Sequence, residues 1–167
     1  MHNSFYMQRN PIAAPAEEQL VDAVLNASRV FVAIAARSLA DVGEEVTLTQ
    51  YRSLVVLASR GPQGVAALAE AVSVTPPTAS RMCDRLVKKG LVTRRTDRRD
   101  RRQVRIALSS GGRLLVDTVT ARRRQEIERL VGSIPEESRA DLVAALAHLS
   151  QSAGEVPEQD WSTGWDL

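Results

Sequence analysis

The chain has 167 residues, enough for one domain with a buried core. Apolar residues make up 44% of it and charged residues 25%, which excludes collagen-like, disordered and transmembrane classes. The net charge is only +2, but residues 81–105 hold eleven basic and three acidic side chains, a local net charge of +8 that leaves −6 for the remainder. A basic block in an otherwise acidic chain indicates a site for a polyanion.

The residue types give little support for a metal site, a disulfide framework or a membrane segment. The chain has one cysteine, Cys83, and two distant histidines, His2 and His148, which excludes an internal disulfide framework and the ligand spacing of a zinc site. We therefore expect no metal and no cofactor. No continuous apolar run approaches the roughly 18 residues of a membrane span, and we expect a cytoplasmic protein without a membrane segment.

The first elements in chain order are a flexible arm at residues 1–16 and a long helix at residues 17–39, which carries one apolar stripe and is ended by Gly43. Thr47 is predicted to cap a second helix, and residues 60–62 end it. A short third helix follows at residues 64–72. All three patterns have the 3.6-residue period of amphipathic helices.

A fourth helix is predicted at residues 75–89, with Thr75 as its N-cap, Pro76 in its first turn and Gly90 as its stop. One face is polar and basic. The apolar stripe comprises Ala79, Met82, Cys83, Leu86 and Val87. Because Cys83 lies within that stripe, it is expected to pack in the core rather than act as a redox switch.

The period then changes to two, which predicts strands at residues 91–95 and 104–108 around a charged loop at residues 96–102. Ser109 is predicted to cap a fifth helix beginning near Gly112, and Pro135 to open a last helix. The arginines at residues 122–124 are expected to be solvated surface. The acidic tail at residues 153–167, with two tryptophans, is expected to be loosely held.

These elements predict a mainly α fold with a small β-hairpin wing, a winged helix-turn-helix lobe at residues 47–108. An α-helix fits the major groove of B-DNA, and a two-stranded wing can reach the neighbouring minor groove. The helix at residues 75–89 would read bases through its first turns and meet phosphates further along. The residues predicted to approach base edges are Pro76, Pro77, Thr78, Ser80 and Arg81, and those predicted to meet phosphates are Arg85 and Lys88.

In both motif and order, the sequence resembles the MarR family of bacterial transcription regulators. The matching segments are residues 48–57, 65–69 and 80–92, followed by the D-x-R-x-x-R pattern of the wing at residues 97–102, by Leu108-Ser109 and by Gly112. The resemblance spans about residues 20–149. A helix-turn-helix alone is a weak signal, but this helix followed by Gly-Leu-Val and an Asp-Arg wing is specific.

The resemblance implies a homodimer that binds an operator in double-stranded DNA, with dimerisation helices at residues 17–46 and 109–152. It implies that Asp97 braces the wing by pairing with an arginine, for which Arg102 is the candidate, and that Arg99 enters the minor groove. A run of arginines at a hairpin tip also indicates DNA contact on electrostatic grounds. The wing residues expected to contact DNA are Arg98, Arg99 and Arg101.

Family members often release DNA when a small phenolic or lipophilic effector enters the crevice between the two lobes. Four residues are candidate polar anchors for such a ligand by position alone: Arg29, Arg37, Tyr51 and Arg52. The expected function is a homodimeric, ligand-responsive regulator, most simply a repressor.

A constitutive or architectural winged-helix DNA-binding protein without an effector is the alternative, since it would share every DNA-facing residue. An enzyme is not expected, because the sequence shows no paired acid and base, phosphate loop or metal spacing. The sequence leaves open the effector, the operator, the choice between repressor and activator, and the role of the tail.

Overall fold

The computed structural model of the protein describes residues 16–42, 46–96 and 104–161. Within these ranges the fold is mainly helical with a small antiparallel sheet, which confirms the predicted fold class. The elements in chain order are α1 (Glu17–Ala40), α2 (Leu48–Arg60), β1 (Gln63–Gly64), α3 (Val65–Ala71), α4 (Pro76–Lys88), β2 (Val92–Thr96), β3 (Val104–Leu108), α5 (Ser110–Val131) and α6 (Glu136–Ser152).

The chain divides into two units inside α1, the first ending at Ala33 and the second beginning at Ile34. The part of α1 in the first unit exposes many large apolar side chains, among them Leu20, Val24 and Phe31. In the second unit the last turns of α1 bury Ile34 and Leu39. The predicted helix is confirmed, whereas its predicted stop, Gly43, lies outside the described residues.

By length and composition, α1 is apolar enough to cross a membrane, although no continuous apolar run in the sequence suggested it. The difference arises because polar residues are spread along the helix and interrupt every run without making the helix polar on average. The core helix of a soluble protein and a signal sequence pass the same test, so this property alone assigns no membrane segment.

The core of the second unit lies where α2, α3, α4 and α5 meet the sheet. Leu54, Leu68, Leu86, Ile106 and Val116 are completely buried there. Burying one such side chain contributes about 1.5–3 kcal/mol relative to leaving it in water. The core therefore holds α4 from its inner side and leaves the opposite side free.

A helix-turn-helix connects α3 to α4. Ser73 occupies the left-handed region in the turn, with φ of 55°, and the Val74 amide donates to the Ala69 carbonyl at 2.9 Å. Thr75 is the N-cap of α4 as predicted, but its side chain does not accept an amide hydrogen bond. Its hydroxyl instead donates to the Thr78 hydroxyl at 3.0 Å, and the prolines at the first two helical positions remove two of the amides that need a cap.

The sheet has three strands in the order β1-β3-β2, all antiparallel. The β2–β3 hairpin has the predicted alternation and pairs Val92 with Leu108 and Thr96 with Val104. The sequence did not predict β1, in which Gln63 pairs with Ile106. Two residues are too few to show a period in the sequence. This strand forms because its backbone can pair with the open edge of β3.

The wing and α5 meet in a joint formed by Gly90, Leu91, Ser109 and Gly112. The Ser109 amide donates to the Leu91 carbonyl at 3.1 Å, and the Ser109 hydroxyl donates to the Gly90 carbonyl at 2.6 Å. The same hydroxyl accepts from the Gly112 amide at 3.0 Å, which confirms Ser109 as the cap, although the helix begins at Ser110 rather than near Gly112. A Cβ on Gly112 would lie 2.1 Å from the Leu91 carbonyl oxygen.

The last helix, α6, follows Pro135 as predicted and buries none of its residues. Residues 153–161 then return to α2 and α5, and a 3₁₀ turn (Glu158–Asp160) brings Trp161 against the hydrophobic core. The expectation of a loosely held tail is therefore wrong for this part. Composition suggested a solvated terminus, whereas arginines distant in sequence hold its acidic residues.

Candidate nucleic-acid interface and adjoining cleft

The side chains on the outer face of α4 are exposed to solvent along the whole helix. Its exposed side chains are those of Pro76, Pro77, Thr78, Arg81, Arg85 and Lys88, while Ser80 is half-buried. The inner stripe is buried as predicted except for Val87, which is 38% exposed and lies outside the core. The stripe needs only four side chains to anchor the helix, and Val87 falls at its margin.

A groove of about 330 Å³ runs along this face between α4 and the start of α2. Thr78, Arg81 and Arg85 line one side of it, and Thr49 and Gln50 line the other. Sequence reasoning missed the α2 side. The only available signal was Thr47, the predicted cap of α2, which is confirmed because its hydroxyl accepts from the Gln50 backbone amide at 3.2 Å.

The side chain of Arg81 is close to that of Thr78, whose hydroxyl accepts a long hydrogen bond of 3.4 Å from the guanidinium. Both side chains are exposed. The guanidinium is therefore held near the first turn of α4 by a weak contact that a stronger acceptor can replace.

The strands of the wing follow α4 directly, and Arg94 on β2 forms an ion pair with Asp84 on α4. Thr93, Arg94 and Arg95 are exposed. The wing residues predicted to contact DNA or to brace the hairpin lie outside the described residues: Asp97, Arg98, Arg99, Arg101 and Arg102.

Cys83 is fully buried on the inner side of α4 and makes no disulfide. Burial raises the pKa of the Cys83 thiol above its ordinary value, and the nearby charge of Arg94 opposes this only in part. The prediction that Cys83 packs in the core is confirmed. A neutral, buried thiol is a poor nucleophile and does not indicate a redox switch.

A second concave site, the α2–α5 cleft, lies away from the outer face of α4 and has a volume of about 690 Å³. Tyr51, Arg52 and Val55 of α2 form one wall. The α5 wall comprises Thr120, Arg123, Arg124, Ile127, Glu128 and Val131, and the tail wall comprises Glu155, Glu158 and Trp161. This volume is in the range of small-molecule sites.

Two buried polar groups of the cleft walls lack partners in the described part of the chain. They are the hydroxyl of Tyr51, a residue only 5% exposed, and Nε of Arg123. A buried polar atom without a hydrogen bond costs about 1–3 kcal/mol. A ligand atom that reached either of them would recover part of that cost.

The four candidate ligand anchors divide between two places. Tyr51 and Arg52 line the cleft. Arg37 does not line it and instead donates to Glu126 at 2.7 Å, and Arg29 lies in the first unit, where it donates to Asn26 at 3.1 Å. Position along the chain alone could not distinguish the two residues that line the cleft from the two that do not. Arg37, for example, is paired with an acid from a different helix.

Residues 122–124 were expected to be solvated surface, and this is wrong for two of them. These two are Arg122 and Arg123, which are half-buried and each have a buried nitrogen without a partner among the described residues, whereas Arg124 is exposed and donates to Glu158 at 3.1 Å. A run of three consecutive arginines spreads around a helix, so some of them necessarily face the protein.

The tail contributes contacts that sequence reasoning missed entirely. Both guanidinium Nη atoms of Arg52 bond to the Glu155 carboxylate, one of them at 3.0 Å, and Arg60 donates to the Gly154 carbonyl at 3.0 Å. No spacing in the sequence joins residues 52 and 155. The excess of acids over bases in the tail was the only available signal.

Comparison with known proteins agrees with this architecture. A sequence model of the MarR family matches residues 46–104, which comprise α2 to the first residue of β3. The chain is 27% identical over 150 residues to the HTH-type transcriptional repressor MdtR of Bacillus subtilis, covering 89% of this chain and 97% of MdtR. It is 30% identical over 108 residues to the HTH-type transcriptional repressor NicR of Pseudomonas putida, covering 65% of this chain and 68% of NicR.

A solved structure is also similar. The crystal structure of RV1404 from Mycobacterium tuberculosis superposes with a TM-score of 0.79 at 40% sequence identity, covering 87% of this chain and 99% of RV1404. The match to the family model, the 30% identity to NicR, and the observed helix-turn-helix and wing strands together assign the family of this chain. The chain is a member of the MarR family, whose members are DNA-binding transcription regulators and not enzymes.

Proposed function

We propose that the protein is a homodimeric repressor that binds a pseudo-palindromic operator through α4 and the wing. The observation that carries this proposal is the free outer face of α4, where Thr78, Arg81, Arg85 and Lys88 are all exposed. The core fixes the inner face, so these side chains project together from a rigid helix. A helix presented in this way fits the major groove.

The first turns of α4 are assigned to base edges. Arginine can donate two hydrogen bonds to guanine, and the proline rings at residues 76 and 77 offer apolar contact to a thymine methyl. Ser80, half-buried, is assigned to the edge of the same contact. Arg85 and Lys88, nearer the end of the helix, are assigned to phosphates, where they add affinity without sequence preference.

The wing is assigned to the adjacent minor groove. Arg99 is proposed to enter the groove, with Arg98 and Arg101 at its edges and Asp97 bracing the hairpin through Arg102. The antiparallel pairing of Thr96 with Val104 supports this assignment, because it brings the two ends of the loop together at the end of the hairpin. Narrow minor grooves attract arginine electrostatically.

The homodimer is supported by apolar surface that the single chain leaves uncovered. In α6, Val143 is 68% exposed and Leu146 is 43% exposed, and α1 exposes Leu20, Val24 and Phe31 in the first unit. Helices with such stripes are usually buried against another element. A second copy of the chain is the proposed occupant, and the two-fold symmetry of such a dimer would match a pseudo-palindromic operator.

The α2–α5 cleft favours a ligand-responsive regulator over a constitutive or architectural one. Its apolar side chains and its unpartnered Tyr51 hydroxyl suit a small lipophilic molecule with a polar group. The effector would bind there and lower operator affinity. We place the protein in the bacterial cytoplasm, where its operator would lie.

The test is selection of operator sites from random DNA, followed by sedimentation of free and bound protein. We expect a dimer on a site with two half-sites about one helical turn, roughly 10 bp, apart. Leu146→Asp should give a monomer that binds the operator weakly, while Glu137→Gln, on the same helix, should change neither property. A wild-type monomer at micromolar concentration on an asymmetric site would contradict the proposal.

A further inference from the structure

The C-terminal segment at residues 154–161, which we name the strap, forms one wall of the α2–α5 cleft. Glu155 binds both Nη atoms of Arg52, and Glu158 binds Arg124. Trp161 packs against the core at the end of the strap, and its indole donates to the Val156 carbonyl at 2.9 Å. The strap is therefore fixed at both ends, by charge at one and by an apolar contact at the other.

The strap sets the charge of the cleft. Three arginines line it, Arg52, Arg123 and Arg124, and three carboxylates oppose them. Two of those carboxylates belong to the strap, and the third is Glu128 on α5. With the strap in place the lining is neutral, and without it the lining would carry a net charge of +2.

The ion pairs of the strap are of a kind that exchanges easily. The side chains of Arg52 and Glu155 are 38% and 42% exposed, and those of Arg124 and Glu158 are 63% and 50% exposed. Exposed ion pairs contribute little to stability, because water screens them and ordering two long side chains opposes them. Another carboxylate can therefore compete with Glu155 and Glu158.

The cleft also has polar groups that the strap leaves without a hydrogen-bond partner. The Tyr51 hydroxyl and Arg123 Nε remain unpartnered in the described part of the chain although the strap is docked. Val55, Ile127 and Val131 supply an apolar lining next to them. An aromatic acid could satisfy these polar atoms and the apolar lining together, which the glutamates cannot do.

We propose that the strap is an internal competitor, whose glutamates occupy Arg52 and Arg124 until a small aromatic carboxylate displaces them and releases Trp161 from the core. The ligand would place its ring against the apolar lining and its carboxylate between the arginines. This proposal rests on the proposed function only in assigning the cleft to the effector. The exchange itself requires no DNA.

The experiment reads Trp161 directly. The chain has two tryptophans, so Trp165→Phe leaves Trp161 as the only indole. In this background, titration with benzoate should shift the Trp161 emission to the red as the indole enters water. Glu155→Gln with Glu158→Gln keeps the side-chain shape and removes the charge. The double variant should show the shifted emission before ligand is added, so benzoate affinity is measured in both proteins by calorimetry, and the double variant should bind about tenfold more tightly.

Two controls separate exchange of charge from other effects. Asp160→Asn removes an acid of the same segment that forms no ion pair among the described residues, and it should leave benzoate affinity unchanged. Benzyl alcohol, which has the same ring without the charge, should bind the double variant within about twofold of the parent affinity.

Tyr51→Phe tests whether the unpartnered hydroxyl contributes to binding of the carboxylate. It removes the unpartnered hydroxyl, so it should weaken benzoate binding severalfold without moving the emission of the free protein.

The outcomes test the strap proposal independently of the proposed function. Equal benzoate affinity of parent and double variant would overturn the proposal that the strap competes with the ligand, and so would an absence of benzoate binding in both proteins. A matching gain for benzyl alcohol also overturns it, because the strap would then act by bulk alone. Operator binding is measured separately on the same proteins. A regulator without a strap binds operator and shows no difference in the titration, whereas failure of operator binding leaves the titration readable.

Discussion

Arg94 on β2 is paired with Asp84 on α4, so the first strand of the wing is tied to the helix that would enter the major groove. Both side chains are about half exposed. The pair therefore orients the two elements more than it stabilises the fold.

A double-mutant cycle of Asp84→Ala and Arg94→Ala measures this pair. We expect a coupling energy below about 1 kcal/mol that falls further in high salt, because water screens exposed charges. Chemical denaturation of the four proteins at low and high salt provides the measurement. A coupling of several kcal/mol independent of salt would show that the pair is a structural anchor.

Arg81 is expected to determine sequence preference at one operator position. Arg81→Ala should cost about 1–3 kcal/mol at that base pair and relax the preference there, because bidentate contact to guanine is lost. Lys88→Ala is the matched control, since Lys88 is exposed at the other end of the same helix and should weaken all sequences equally. Binding is measured across a set of single-base operator variants. Uniform weakening by Arg81→Ala would place Arg81 on a phosphate.

Alanine substitutions of Asp97 and Arg99 in the wing are expected to weaken operator binding for different reasons. Arg99→Ala should weaken operator binding and lower the slope of log affinity against log salt by about one, because one phosphate or groove contact disappears. Asp97→Ala should also weaken binding, although it removes a negative charge, since an unbraced hairpin must be ordered at roughly 1–2 kcal/mol per residue.

Hydrogen exchange distinguishes the two wing variants. Only Asp97→Ala should speed amide exchange in β2 and β3 of the free protein. Tighter operator binding by Asp97→Ala, or unchanged exchange, would make Asp97 an ordinary surface carboxylate.

Gly112 is expected to tolerate no side chain. In Gly112→Ala the new Cβ would meet the Leu91 carbonyl oxygen at 2.1 Å and Leu108 Cδ1 at 2.8 Å, and backbone must move to relieve the clash. We expect a loss of about 1–3 kcal/mol or more in the free energy of unfolding. Gly64→Ala is the control, because no heavy atom lies within 4 Å of its Cβ position. Equal stability of the two variants would contradict the close approach.

Cys83 is expected to react only when the core opens. Burial raises the pKa of its thiol, so the folded state favours the neutral form, and this stabilisation is lost as the pH rises above the ordinary thiol pKa. A thiol reagent at neutral pH should therefore modify the native protein far more slowly than the denatured one. Peroxide should leave operator binding unchanged. Rapid modification of the native protein would restore a redox function for Cys83.

The sequence predicts the helices well where one local pattern determines each element. Thr47 and Ser109 cap their helices because their partners lie three residues away, and the stripe around Leu86 is buried because its period matches the helix. The residues of α4 that face outward follow from the same periodicity. In physical terms these features depend on short-range geometry, which residue spacing encodes.

The remaining features depend on contacts between distant segments. The pairing of Gln63 with Ile106 and the bond from Arg52 to Glu155 join residues 43 and 103 positions apart, and neither has a local signal. Position along the chain predicts the cleft only in part, because it favours Tyr51 and Arg52, which line the cleft, and equally Arg29 and Arg37, which do not. The tail was misjudged because composition describes how a segment interacts with water and not which arginines it meets.

The hydrogen bonds of Ser109 to Gly90 and Leu91 couple the orientation of α5 to that of α4. One end of this 22-residue helix is fixed to the exit of α4, and its other half borders the cleft. At 1.5 Å per residue the helix is about 33 Å long, so a tilt of about 5° at one end displaces the other by about 3 Å. In the proposed dimer, an occupant of the cleft would therefore alter the distance between the two α4 helices while each keeps its own fold, and the proposed fixed spacing of half-sites would no longer be matched.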